Sequence, residues 1–355
     1  MPSQQILNNI LVLAERIPAW MEQANVPGLA LTLIQDAEIA WNGAFGARDS
    51  ASGEPVTPDT LFEAASLSKP VFAYAALKLC ETGALDLDAP LADYVPDPYL
   101  PDEVRCELVT MRHVLSHTTG LPNWRPKGKP LRMHFAPGER FSYSGEGYGY
   151  LYAVVEHVIG QAPVDHVRAN LLEPLGMEHS RFVWTGQEGL LIALPHDENG
   201  EPKKKGLWPN MNVAAGLHCT SADFGRFMAA VMRPRAGNPS HLGADMTRDM
   251  LTSQVQVNDS APWHKDWPRP EIKLDDRVGW GLGWGLQRTT RGPSFWHWGD
   301  NGRYRAFAVG FPESGFGVVV MTNGEKGQQV ISRILRQAIG GDYPGLDWIE
   351  RAYAG

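Results

Sequence analysis

The chain has 355 residues, 43% of them hydrophobic and 20% charged, enough for a large buried core arranged as two domains or as one domain with a large insertion. The net charge of −8 argues against a nucleic-acid binder, which would show a concentrated basic face. The three cysteines, Cys80, Cys106 and Cys219, are odd in number and unpatterned, which argues against a disulfide framework or a CxxC site and for a reducing compartment.

Residues 5–22 place Ile6, Leu7, Ile10, Leu11, Leu13, Ala14 and Ile17 at helical spacing, interrupted by Asn8, Asn9, Glu15 and Arg16. That is an amphipathic helix, without the basic start and unbroken apolar run of a secretory signal. No stretch approaches the ~18 apolar residues of a membrane span, so the expectation is a soluble, cytoplasmic protein. Two strand-like runs, 28–34 and 39–45, flank Asp36-Ala37-Glu38 and predict a β-hairpin. Apolar periodicity then predicts helices over 71–82, 110–116, 148–159, 164–172 and 221–232. Lys203-Lys204-Lys205, the one tight basic run, reads as a solvated loop. Residues 233–277 are rich in Pro, Gly, Asn and Asp and read as long loops. Strand texture returns at 278–286, 303–311 and 317–322, followed by a helix over 327–339.

Both chain ends thus supply strands and helices, while the middle supplies helices. The economical architecture is an antiparallel sheet built from residues 1–60 and 276–355, flanked by the terminal helices, with a mostly helical domain inserted over 61–275. A site is expected where the two parts meet.

Three segments carry chemistry. In Ser66-Leu67-Ser68-Lys69 the serine and lysine stand at i and i+3 around the start of a helix, so hydroxyl and ammonium share a face. Pro70 costs little in a first turn, where the amides have no helical partner. A serine hydroxyl needs a nearby base to act as a nucleophile, and a desolvated lysine can supply one. Phe141-Ser142-Tyr143-Ser144 puts a phenol beside another helix start, where the dipole and a nearby cation would favour the phenolate, a second base. His297-Trp298-Gly299, with Asp300-Asn301-Gly302 after it, reads as a strand edge whose backbone amides could hold an oxyanion and whose glycine admits a substrate backbone. Taken one at a time, these are also an N-cap serine with a surface lysine, a core tyrosine and a structural histidine.

In this order, the three segments resemble the motifs of the superfamily of serine β-lactamases and penicillin-binding proteins. The pattern looks most like the class C-related branch, with its family VIII carboxylesterases and D-aminopeptidase-like hydrolases. Leu115-Ser116-His117-Thr118-Thr119-Gly120-Leu121 and Glu81-Thr82-Gly83-Ala84-Leu85-Asp86-Leu87-Asp88 are similar to stretches of that branch. The resemblance runs from about residue 25 to about residue 340. It implies an α+β, β-lactamase/transpeptidase-like fold, with Ser66 as nucleophile and Lys69 and Tyr143 sharing the base role. It also implies an oxyanion hole made by the amides of Ser66 and Asp300, with no cofactor or metal.

Two positions depart from the pattern. Relatives commonly read Tyr-x-Asn, and the slot here holds Gly145; relatives acting on penicillins commonly read Lys-Thr-Gly, and the slot here holds His297, followed by the bulky Trp298. Both favour small neutral esters or amides over β-lactams. The expectation is a carboxylesterase-like acyl hydrolase with a small-molecule substrate and no nucleic-acid, membrane or required protein partner. A D-amino-acid amidase or peptidase, a weak β-lactamase and a non-catalytic binding protein are the alternatives. His297, Trp298, Gly299, Gly145 and Trp124 are the candidate substrate contacts, and some of Trp124, Trp263, Trp267, Trp284, Trp296 and Trp298 are expected to line an acyl pocket. His113 and His117 stand at i, i+4, a metal-ligand spacing, but lack the acidic partner of an HExxH site.

Overall fold

The computed structural model describes residues 4–125, 127–186, 189–234, 238, 240–258 and 274–354; Trp263 and Trp267 lie outside the described residues. The chain opens with α1 (Gln4–Ala24), then β1 (Gly28–Gln35) and β2 (Glu38–Asp49). Asp36 and Ala37 between them both have positive φ, 54° and 51°, which makes the predicted hairpin a two-residue turn of the kind whose twist matches its strands. Then come β3 (Glu54–Pro55), β4 (Phe62–Ala65), α2 (Ser68–Glu81), α3 (Met111–Leu115), α4 (Gly145–Ile159) and α5 (Pro163–Val167). A π-helical turn, Arg168–Leu172, ends the helix expected over 164–172. β5 (Leu217–Cys219), α6 (Ser221–Met232), α7 (Ala244–Met250), β6 (Val255–Asn258), β7 (Leu274–Trp280) and β8 (Gly285–Thr289) follow. The chain closes with β9 (Gly292–Asp300), β10 (Arg305–Phe311), β11 (Phe316–Thr322), α8 (Gly327–Ile339) and α9 (Pro344–Ala354).

Contacts gather these elements into two compact units. The first comprises Met1–Ser68, Arg168–Pro234 and Thr290–Asp342. Six of its strands run in the order β3-β2-β1-β11-β10-β9, and β4 pairs with β5 in a separate two-stranded ladder. The two ends of the chain share one antiparallel sheet, as the sequence predicts, and meet where β1 pairs with β11, Leu31 opposite Val320. β10 and β11 are buried along their whole length, and β1 all but its last residue. The Thr32 hydroxyl bonds Ser221 on α6, while Leu31 and Leu33 point the other way and are equally buried, so both faces of this strand are covered. α1 and α8 pack on each other, and α8 buries Val330, Ile331, Ile334, Leu335 and Ala338 as one stripe. Residues 168–234 therefore cluster with the terminal strands rather than with the helical middle, because α6 lies against β1, β2 and β11.

The second unit comprises Lys69–Val167, Arg235–Thr289 and Tyr343–Gly355. Most of α2 forms its centre, with Val71, Phe72, Ala73, Tyr74 and Leu77 buried. α4 starts at Gly145, three residues before its apolar run, because the Ser144 hydroxyl caps it by accepting from Gly147 N at 2.9 Å. α7 and β6 occupy part of the segment expected to be loop, and α9, unseen in the sequence, packs on β7 and β8. Among the described residues no helix is long and apolar enough to cross a membrane.

Candidate active site

Ser66 sits just past β4 in the first unit, 8% exposed. The residue before it, Ala65, has φ of 51°, a left-handed conformation that is costly for a residue with a Cβ. Ser68 holds this strained turn: its hydroxyl donates to Ala65 O at 2.6 Å and accepts from Leu217 N at 2.9 Å, tying the turn to β5. Gly299 on β9 passes β4 so closely that any Cβ would press into the Ala64 carbonyl oxygen. The glycine of the His-Trp-Gly segment thus serves the approach of one strand to another. Next to it, the Asp300 carboxylate accepts from Gly302 N at 2.8 Å and from Arg305 at 2.5 Å, fixing the strand end whose amide is the expected second oxyanion donor.

His297 and Trp298 are 0% and 1% exposed, and the His297 ring stacks on Trp298 at 5.1 Å with Nδ1 2.7 Å from the Trp298 carbonyl. Trp284 and Trp296 are fully buried as well. These side chains have the burial of core groups. Trp124, 50% exposed, is the candidate tryptophan among the described residues that offers a broad open face.

In the second unit Lys69 is wholly buried on the first turn of α2. Its ammonium lies 4.7 Å from the centroid of the Tyr143 ring, 5.7 Å from Trp124 and 5.8 Å from Tyr148. Burial pulls its pKa from 10.5 down to about 7, so at neutral pH a large share of the amine is uncharged. The fold therefore brings Lys69, Tyr143 and Trp124 together.

Gly145 is the fourth candidate here, and the space beyond it is filled. Asn123 O accepts from both Gly145 N and Glu146 N, at 2.9 and 3.0 Å, and Asn123 Oδ1 accepts from Gly145 N at 3.1 Å. A Cβ at 145 would stand 2.8 Å from Asn123 O and 3.1 Å from the Trp124 ring. The asparagine of the relatives has no room here, and the Trp124 ring faces Lys69 instead. The Glu146 carboxylate accepts from Arg125, at 2.6 Å, and from Tyr99, at 2.5 Å.

The sequence reading missed a buried network in the first unit. Lys205, read above as part of a solvated loop, is 7% exposed at its side chain and ion-pairs with Glu63 of β4. Asn301 donates to the same carboxylate and, at 3.1 Å, to Ala215 O. The lysine's partner lies 142 residues away in the chain, beyond the reach of a local reading. The two histidines at i, i+4 serve backbone amides: His113 Nδ1 accepts from Thr110 N in the cap of α3, and His117 Nδ1 accepts from Ser144 N. Among the described residues no cluster of three His, Cys, Asp or Glu could hold a metal.

The Beta-lactamase family model matches residues 13–341, and the chain belongs to that family. This makes it a member of the superfamily of serine hydrolases that contains β-lactamases and penicillin-binding proteins. Esterase EstB of Burkholderia gladioli is 34% identical over 224 residues, 54% of this chain and 56% of the relative, so the match spans little more than half of that protein. Penicillin-binding protein 4 of Amycolatopsis lactamdurans is 26% identical over 353 residues, 92% of this chain and 88% of the relative. A class C β-lactamase structure superposes with a TM-score of 0.76 at 20% identity, covering 95% of this chain and 98% of the other. At that identity the likeness establishes the fold, which is β-lactamase/transpeptidase-like.

Proposed function

We propose that this protein is a cofactor-free serine acyl hydrolase of carboxylesterase type, acting on small esters through an acyl-enzyme. The observation that carries this reading is Lys69, an amine buried against the Tyr143 ring and brought to a pKa of about 7 by desolvation, three residues along the chain from Ser66. A lysine is rarely buried this completely, and an amine so desolvated, set against a phenol ring, is suited to accept a proton. In the reaction, Ser66 Oγ attacks the ester carbonyl and gives up its proton to the Lys69–Tyr143 pair. The amides of Ser66 and Asp300 stabilise the tetrahedral oxyanion. Collapse expels the alcohol, which takes the proton back. A water, deprotonated by the same pair, then attacks the acyl carbon and releases the acid and Ser66.

Esters are favoured over amides and β-lactams by the closed space at Gly145, which excludes the side chain that contacts substrate amides in relatives, and by His297 in place of a lysine. The esterase among the relatives supports the same choice. The open face of Trp124 would receive an apolar acyl group. We place the protein in the cytoplasm, in keeping with its three free cysteines; cell fractionation is the check.

The deciding experiment is Ser66→Ala assayed on short-chain nitrophenyl esters, D-amino-acid amides and nitrocefin, with fluorophosphonate labelling mapped by peptide. Ester turnover should vanish in the variant, and the label should sit on Ser66. Full activity in the variant would end the proposal. Faster turnover of amides or nitrocefin than of esters would move the protein to the amidase or β-lactamase reading, and a chain that is neither labelled nor active would be a binding protein.

A further inference from the structure

We propose that His117 is the positioning residue that fixes Tyr143 for proton transfer. With His113 at i, i+4, its imidazole looks from the sequence like half of a metal site. The structure gives it a different task. His117 is wholly buried and holds a left-handed conformation, with φ of 56°. In that conformation its carbonyl and its ring both meet the segment 142–144. His117 O accepts from Ser142 N at 2.7 Å, and His117 Nδ1 accepts from Ser144 N at 3.0 Å. Both chain neighbours of Tyr143 are therefore tied to one residue.

The ring completes the clamp from the side. Its centroid lies 4.2 Å from that of Tyr143, and Trp280 packs against both, at 5.2 Å from His117 and 6.0 Å from Tyr143. Because Nδ1 accepts from a backbone N–H, the proton of the neutral ring is on Nε2. Few side chains offer a planar face and an acceptor within the same small ring. Phenylalanine would keep the face and lose the bond; asparagine would keep an acceptor and tolerate the left-handed backbone. Ser144 is also the N-cap of α4, so the bond from His117 orients the helix start beside which the phenol stands. His117 reaches the reaction only through Tyr143, and the inference rests on the base role proposed for that tyrosine.

The test is a double-mutant cycle on purified protein whose folding is checked by thermal melting, read as kcat and KM for a nitrophenyl ester. His117→Phe should lower kcat about 10- to 100-fold with KM changed less than about threefold, since misplacing a proton-transfer group costs turnover rather than binding. His117→Asn should recover at least about half of the loss on a logarithmic scale. In a Tyr143→Phe background, His117→Phe should cost less than about twofold, because the group it positions is already gone. If His117→Phe does not fold, His117→Ala takes its place in the cycle with the same expectation. A loss of equal size in both backgrounds, or wild-type kcat in the His117 variant, would overturn the proposal. A Tyr143→Phe enzyme with undiminished kcat would instead remove the base role of Tyr143.

Discussion

Gly299 runs beneath the carbonyl of Ala64 with no room for a side chain: a Cβ there would press into Ala64 O and stand 3.2 Å from the Cβ of Ala306. Ser66 follows Ala64 by two residues, and Asp300 follows Gly299 directly, so this approach of β9 to β4 sets the spacing of the two amides assigned to the oxyanion hole. Gly299→Ala must push the strands apart. Overpacking of this kind costs about 1–3 kcal/mol, and loss of an oxyanion donor costs about 100-fold in kcat. Urea unfolding and ester kinetics should show both effects. A variant with wild-type kcat and reduced stability would separate the strand contact from the chemistry.

The base role proposed for Lys69 would link activity to pH. Its amine titrates at about 7, lowered from 10.5 by burial, and the base form is the neutral one. The value of kcat/KM should therefore rise with pH through about 7. Stability follows with the same sign. Between pH 7 and 10.5 the unfolded chain keeps a proton that the folded chain has lost, so folding gains stability as pH rises across that window. The displacement from 10.5 to about 7 corresponds to about 5 kcal/mol, taken from the charged, buried form. Lys69→Met should be inactive, more stable than the parent at pH 6, and should lose that advantage toward pH 10. Urea midpoints of the two proteins across this range decide it, and parallel curves would place the titration elsewhere.

The fold was readable from the sequence wherever burial wrote a period. β1, β10 and β11 are near-continuous apolar runs because both their faces are covered, and α8 shows a stripe because one face is buried while Gln329, Arg333 and Arg336 stay exposed. β4 and β5 escaped notice because a two-stranded ladder of four and three residues leaves no period to read. The grouping of 168–234 with the terminal strands escaped for another reason: α6 is as amphipathic as a helix of a helical domain, and only its contacts reveal that it lies on a sheet. Among the candidate site residues, Ser66, Lys69 and Tyr143 stand out in the sequence because their residue types and spacing form motifs. His117 and Lys205 do not, since what sets them apart is a partner distant in sequence, Ser144 for one and Glu63 for the other.

Gly145 predicts what restoring the family's side chain would do. An asparagine there would place its Cβ 2.8 Å from Asn123 O and 3.1 Å from the Trp124 ring. The loop carrying both residues would have to move, at a cost of about 1–3 kcal/mol. Gly145→Asn should therefore lower stability and ester kcat/KM together, without raising nitrocefin turnover. A rise in nitrocefin hydrolysis would show that the missing asparagine, rather than the closed space, governs substrate choice.

The ion pair of Lys205 with Glu63 gives the last prediction. Both side chains are 7% exposed, and Glu63 also holds Asn301, the residue after Asp300. His218 Nε2 lies 3.8 Å from the same carboxylate, but burial, helped by the Lys205 charge, pulls its pKa to about 3, so the lysine alone supplies the positive charge at neutral pH. Removing it strands a carboxylate in the interior. Lys205→Met should cost about 3–5 kcal/mol, and adding Glu63→Gln should return much of that, because breaking a buried pair costs more than replacing it. The kinetic consequence differs: the double variant leaves Asn301 with a neutral, weaker acceptor, so kcat should stay below the parent even where stability recovers. Equilibrium unfolding and ester kinetics on the same three proteins separate the two effects. A Lys205→Met protein with unchanged stability would mean that the pair is open to water after all.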